Sequence, residues 1–265
     1  MKRALKSVVV VFAILLVFSG VAGAGPILDD ILKRGELVVG MTGDQPPLNA
    51  ISKDGELIGL DVDLARAIAQ GMNLKVSLTK MPFAELLPAL QSGRIDMIVS
   101  GMTMTPERNT KVAFIGPYYV SGKGILLKLK SVELLKKEGL NSEQFRVATL
   151  KGSTSQAVVE SLAPKAKLTF VDSYDNAIEV LLEDKADAMI ADYPFCAYMA
   201  ARYSEKELVV GDTKLTVEPL GIAVREDPLL INAAENFLRT LVLSGGITAL
   251  QEKWLKSRSW FEQLP

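Results

Sequence analysis

The chain contains no histidine and a single cysteine, Cys196, among its 265 residues. Without histidine it lacks the commonest general base and the commonest metal ligand, so no catalytic centre or metal site of that kind is expected. One cysteine excludes an intrachain disulfide, which leaves packing alone to hold the fold. Charge of one sign is also missing. Thirty Lys and Arg face 31 Asp and Glu, for a net charge of −1, and nothing points to nucleic acid or a bulk acidic partner. No cofactor motif is present. After the first residues, no apolar run is long enough to cross a bilayer.

The one long apolar run comes first. Lys2, Arg3 and Lys6 precede "VVVVFAILLVF", and "AGA" at Ala22–Ala24 offers a small-residue cleavage site. Residues 1–24 therefore read as a secretory signal peptide, with an extracytoplasmic product of about 240 residues. The alternative is an uncleaved membrane anchor. No cysteine follows the cleavage site to carry a lipid.

The remainder alternates strands and helices. Strands are expected at Glu36–Gly40, Leu74–Lys80 and Ile95–Val99, with helices from about Asp61 to Gln70 and over "PFAELLPALQSG". After "GPYY" a second α/β unit begins, and helices close the chain at Leu229–Leu243 and Ile247–Lys256. Periodicity alone leaves open whether those last helices rejoin the first unit or extend the second. The alternation predicts mostly parallel α/β architecture.

One phrase occurs twice. "GRIDMIVSG" (Gly93–Gly101) is echoed by "DKADAMIADY" (Asp184–Tyr193). The first leads to Arg108 and the second ends at Asp192. In open α/β sheets ligands gather at the carboxyl ends of strands, so two facing units would turn both charges into one cleft. A free amino acid needs that combination: a planar guanidinium fork for its carboxylate and a carboxylate for its ammonium. Thr105 can cap a short helix opening with Pro106, placing Arg108 in its first turn. Ser100, Gly101 and Thr103 add backbone groups and hydroxyls at the strand end. "GSTSQ" puts Ser153, Thr154 and Ser155 at a helix N-terminus, a natural anion site. Each residue has an ordinary alternative. Arg108 suits a surface ion pair with Glu107, Asp192 a turn before Tyr193-Pro194, the serines and threonines plain caps, and the echo itself chance.

Taken in order, "GELVVGMTGDQPPL", "DGELIGLDVDLARAIA", "LLPALQSGRIDMIVSGMTMTPER", "VAFIGPYY", "LKGSTSQ", "KADAMIAD" and "LGIAVRED" resemble the periplasmic amino-acid-binding proteins of ABC transporters, bacterial solute-binding protein family 3. The resemblance covers essentially the whole mature chain. It implies an α/β, periplasmic-binding-protein-like fold: two α/β lobes joined by two hinge strands, with the ligand cleft between them. Lobe 1 would comprise residues 25–120 and 218–265, final helices included, and lobe 2 residues 121–217, with hinges near Tyr119–Gly124 and Lys214–Gly221. It makes Arg108 the carboxylate clamp and Asp192 the ammonium partner, with Gly101, Thr103 and Thr154 beside them and Phe83 packed on the ligand. The implied product is a periplasmic monomer that passes an amino acid to a membrane permease.

Two departures from the family pattern stand out. Gln45 and Leu48 occupy positions usually aromatic, so stacking between two rings is not expected and the pocket is more polar on that side. Gly101 stands where many members carry Ser. Gln45 suits a polar side chain, and Asp44 and Glu85 suit either a basic side chain or, more simply, solvated surface; a polar or basic L-amino acid is expected. The competing function is a cyclohexadienyl dehydratase on the same fold, acting on prephenate or arogenate. That chemistry needs a positioned general acid; resemblance to those enzymes implies a carboxylate a few residues beyond the Asp192 position, and "DYPFCAYM" has none there. A sensing ectodomain would need a membrane span and a signalling module.

Overall fold

The structure is a computed structural model and describes residues 25–265; the expected signal peptide lies outside them. Among the described residues no helix is long and apolar enough to cross a membrane.

Two five-stranded sheets share one plan. In the first, the order is Lys75–Lys80, Glu36–Met41, Met97–Ile98, Glu218–Val224, Ala113–Ser121; in the second, Lys167–Val171, Arg146–Leu150, Ala188–Asp192, Lys123–Lys128, Leu208–Val210. In each, three parallel strands are followed by a fourth that runs against them and a fifth antiparallel to the fourth. The two echoed phrases hold the same place, third in each sheet. Their strands are buried on both faces, as central parallel strands are: Met97, Ile98, Ala188, Met189 and Ile190 are all inaccessible.

The echo extends to the turn before each strand. Gly93 and Asp184 both take the left-handed conformation, at φ 76° and 60°. Asp96 and Asp187 follow, and each reaches back to the neighbouring strand. Asp96 accepts the Val38 N–H at 2.9 Å and pairs with Arg34. Asp187 accepts the Arg146 N–H at 3.0 Å and takes its guanidinium in a fork at 2.9 and 2.8 Å. Burial pushes the Asp187 carboxyl up, but the Arg146 hydrogen bonds outweigh it and hold it below the usual carboxylate range. The same phrase therefore recurs because the same strand junction must be tied twice.

Most expected elements are present, with differences at their ends. The Leu60–Gly71 and Phe83–Gln91 helices form, and Thr105 and Ser153 cap the helices they precede. The strand expected over Ile95–Val99 is regular only at Met97–Ile98. The helix expected over Ile247–Lys256 is α-helical from Gly246 to Gln251 and continues as a π-turn. A small sheet of Asp44–Gln45, Asn49–Ile51 and Leu57–Ile58 was not foreseen, because strands of two or three residues carry no period.

The chain passes from the first sheet to the second at Gly122 and back between Val210 and Glu218. The two crossings touch: a Cβ on Gly122 would lie 2.4 Å from the Thr216 carbonyl oxygen, so only glycine fits there. The closing helices pack on the first sheet's side. Gln251 donates to the Tyr118 carbonyl at 3.0 Å, the Trp254 indole N–H to Asp63 at 2.8 Å, and Asp227, capping the Pro228–Leu243 helix, also holds the N–H groups of Ile27 and Leu28.

Replacing Asp187 by Ala should cost about 1–3 kcal/mol, because it strands the Arg146 N–H and guanidinium together. Urea unfolding of the two proteins would show a lower midpoint at unchanged slope; equal midpoints would deny Asp187 this role.

Candidate ligand-binding site

Arg108 lies in the first turn of the Pro106–Asn109 helix, whose cap Thr105 accepts its N–H at 3.2 Å. Its guanidinium is buried and faces the second lobe. One Nη donates to the Thr103 carbonyl at 2.9 Å, the other across the cleft to the Gly152 carbonyl at 3.2 Å, and its Cζ sits 5.5 Å from the centre of the Phe83 ring. Burial works against its charge, and Glu218 is the largest influence in its favour.

Asp192 ends the Ala188–Asp192 strand and is 1% exposed. Its oxygens are held from two sides, by Lys123 Nζ at 3.1 Å and by Gln45 Nε2 of the first lobe at 3.0 Å. Lys123 is the direct cross-strand partner of Asp192 and is itself 2% exposed. Its ammonium also lies 3.7 Å from Glu218 Oε2. That oxygen accepts the Thr103 hydroxyl at 2.7 Å and the Thr154 hydroxyl at 2.9 Å, while Oε1 accepts Thr216 at 2.7 Å. Thr103 and Thr154 stand 3.3 Å apart, one from each lobe.

The structure thus gathers Arg108, Asp192, Thr103, Thr154, Phe83, Gln45 and Gly101 about one inter-lobe junction. It does not bring Ser100 and Ser153 into the polar cluster. Ser100 Oγ accepts the Thr42 N–H at 3.1 Å, and Ser153 caps its helix and donates to the Leu150 carbonyl. Of the two acids, Glu85 is exposed and pairs with Arg94, whereas Asp44 is buried and accepts the Tyr174 N–H at 2.9 Å across the lobes. Burial raises the Asp44 carboxyl above its ordinary range.

Lys123 and Glu218 were missed by sequence reasoning, although both lie in the segments read as hinges. A lysine opening the apolar run "GILL" and a glutamate inside "LTVEPLG" were the available signals.

The departures from the family pattern prove to be one packing unit. Gly101 has φ 56°, and a Cβ there would lie 2.5 Å from Gln45 Oε1 and 2.9 Å from Leu48 Cδ1. A serine at 101 is incompatible with these two neighbours as placed. Behind them, the Gly101 N–H donates to the Tyr118 hydroxyl at 3.2 Å, which donates to Asp61 at 2.7 Å; Asn49 holds the other Asp61 oxygen at 2.8 Å. Burial raises the Asp61 pKa to about 6 against the pull of these donors. Among the described residues no group of three or more His, Cys, Asp or Glu could hold a metal ion.

Residues 37–257 match the bacterial extracellular solute-binding proteins, family 3. The chain belongs to that family. Within family 3 it is 31% identical over 210 residues to the ABC transporter glutamine-binding protein of Bacillus subtilis, covering 76% of this chain and 74% of that one. It is 28% identical over 222 residues to ABC transporter arginine-binding protein 1 of Escherichia coli, 81% of this chain and 88% of that one. Among solved structures it resembles an ancestral amino acid-binding protein, a precursor of cyclohexadienyl dehydratase, at 38% identity and TM-score 0.79, covering 88% and 100% of the two chains. It also resembles the putative binding component of an ABC transporter from Wolinella succinogenes complexed with lysine, at 35% identity and TM-score 0.81, covering 86% and 99%. Like other family 3 proteins, it is an extracellular-type solute-binding protein built on the two-lobe fold.

Two outcomes are expected. Gly101→Ser should cost about 1–3 kcal/mol through overpacking, and Gln45→Ala should recover part of that loss, since contacting residues couple; strictly additive effects in denaturant titrations would rule out the shared packing. Asp61 has a folded pKa above its unfolded one, so its contribution is fully present below about pH 4 and is lost as pH rises through about 6, a swing of about 3 kcal/mol. Asp61→Asn should flatten that part of the stability–pH curve, whatever its absolute stability; a curve of unchanged shape would contradict the burial of a titrating carboxyl.

Proposed function

We propose that this protein captures a polar or basic L-amino acid between its lobes by hinge closure and delivers it to the membrane permease of an ABC transporter. In this reading it acts as a monomer outside the cytoplasmic membrane, exported by a signal peptide at residues 1–24, which lie outside the described residues. The lobes are residues 25–120 with 218–265, and 121–217, a division supported by which strands share each sheet.

The observation that carries the proposal is the burial of Arg108 and Asp192, from different lobes, at one junction crossed by the Arg108–Gly152, Gln45–Asp192 and Thr103–Thr154 contacts. Arg108 takes the ligand carboxylate, with the hydroxyls of Thr103 and Thr154 turning from Glu218 to donate to it, and Asp192 takes the ammonium beside the Gly101 carbonyl. Phe83 and Gln45 form walls. Ser153 supports the site through its helix cap, and Ser100 through Thr42. Relatives named for glutamine and arginine and a similar structure complexed with lysine support a polar or basic side chain. Hinge closure suits the two adjacent crossings, where few backbone torsions need change.

The protein is proposed to be a binding protein and not an enzyme. The Tyr193–Arg202 helix beyond Asp192 carries no acid, and its Cys196 is buried, with burial and then Asp192 pushing its thiol up to about 12. The likeness to a dehydratase precursor keeps the enzyme as the alternative.

A thermal-shift screen against the proteinogenic amino acids and prephenate, with calorimetry on the best ligand, tests both readings. Stabilisation by an amino acid is expected, and consumption of prephenate would favour the enzyme. Arg108→Ala should weaken binding about a hundredfold or more while circular dichroism shows an intact fold. Unchanged affinity would refute the site.

A further inference from the structure

Residues 257–265 follow the π-turn at Glu252–Lys256 and take no part in either sheet. Two of them are nonetheless almost fully buried, Trp260 at 3% and Leu264 at 6% exposed. The contacts of this segment come from both lobes. On the first-lobe side, the Trp254 ring stands 5.7 Å from that of Trp260, and the Lys53 N–H donates to the Gln263 carbonyl at 2.8 Å. On the second-lobe side the contacts come from the Tyr193–Arg202 helix. Its buried Tyr198 ring lies 5.0 Å from the Trp260 ring and 4.9 Å, edge-on, from that of Phe261. Its Arg202 donates to the Pro265 carbonyl and, at 2.9 Å, to the Tyr198 hydroxyl.

These contacts join the lobes at a place apart from the two hinge crossings. One small cavity is lined by Asp44 of the first lobe, Arg202 of the second, and Leu264 and Pro265, so the segment runs beside the cross-lobe contact of Asp44 with Tyr174. Hinge motion turns each lobe as a body, so a segment held on both must let go of one when the cleft opens. Its first-lobe hold is a backbone hydrogen bond and chain continuity with Trp254, whose indole is pinned by Asp63. Its second-lobe hold is ring packing and one guanidinium, and that is the side to release. Packed aromatic pairs stabilise beyond the area they bury, and here two pairs share Tyr198. Releasing them also returns buried apolar surface to water.

We infer that residues 257–265 are a latch between the lobes: seated on Tyr198 and Arg202 of the second lobe, they hold the cleft shut and set how far the closed arrangement is populated before any ligand arrives. This rests on the hinge-closure reading proposed above and adds to it a determinant outside both the cleft and the hinges. A ligand that needs the closed arrangement binds with its intrinsic dissociation constant divided by the closed fraction. Side chains that touch no ligand therefore tune its affinity.

Small-angle X-ray scattering on the unliganded protein tests the latch without any ligand. Tyr198→Ala and Phe261→Ala each remove one ring of the contact, and both should increase the radius of gyration. Tyr198→Phe keeps the ring and should stay near the wild-type radius. Calorimetry with glutamine, lysine and arginine should show whichever binds weakened about fivefold or more by either alanine variant. The double variant should lose less than the product of the two, since the rings act as one contact. Saturating ligand should return the variants to the radius of the liganded wild type, which a general loosening of either lobe would not allow. Equal unliganded radii for the wild type and both alanine variants overturn the inference, and so do affinities that both variants leave within about twofold. Should the wild type bind none of the three, nor any other amino acid, the amino-acid reading fails by itself, and the scattering alone decides the latch.

Discussion

Four charged side chains at the lobe junction alternate in sign: Arg108, Glu218, Lys123, Asp192. All are 7% exposed or less. Taking an ion out of water costs several kcal/mol unless its partners are in place, and removing one member of such a set costs more than the set is worth as a whole. That constraint governs the region. Glu218 is satisfied by three threonine hydroxyls as well as Lys123, and Asp192 by an amide from the opposite lobe as well as Lys123. The hydroxyls and amide come from three different parts of the fold, so the electrostatics of the junction and the relative placement of the lobes are a single problem.

The duplicated sheet plan is what allows that placement. In both sheets the third strand points its carboxyl end at the junction, and in both the turn before it is tied to the neighbouring strand by an aspartate. Packing of inaccessible aliphatic side chains fixes these strands, and the polar groups beyond their ends inherit a rigid base. The hinge crossings run between the two bases, close enough that Gly122 tolerates no side chain. Lys123 and Glu218 sit immediately beside those crossings, which makes them sensitive to lobe orientation in a way that Asp192 alone would not be.

Much of this was legible in the sequence, and the reasons are specific. The repeated phrase around Met97 and Met189 signalled equivalent strands because buried parallel strands need continuous apolar runs, and Arg108 and Asp192 were legible because one follows its copy in the next helix and the other ends its copy's strand. Thr105 and Ser153 announced helix starts by local chemistry. Lys123 and Glu218 were not legible as site residues. Charged residues near strand ends ordinarily face water, and their burial arises only when two segments far apart in sequence run side by side. The joint packing of Gly101, Gln45 and Leu48 was hidden for the same reason: each appeared as a separate deviation, and only the fold shows that the absent Cβ makes room for the other two.

A crystal structure of the protein with its bound amino acid would examine the zwitterion grip directly. The ligand carboxylate should lie within hydrogen-bond distance of the Arg108 guanidinium, with the ammonium on Asp192 and the Lys123 side chain retained beside it. A ligand seated elsewhere, or Arg108 and Asp192 turned into separate solvent regions, would contradict the grip and with it the reading of the junction as a binding site.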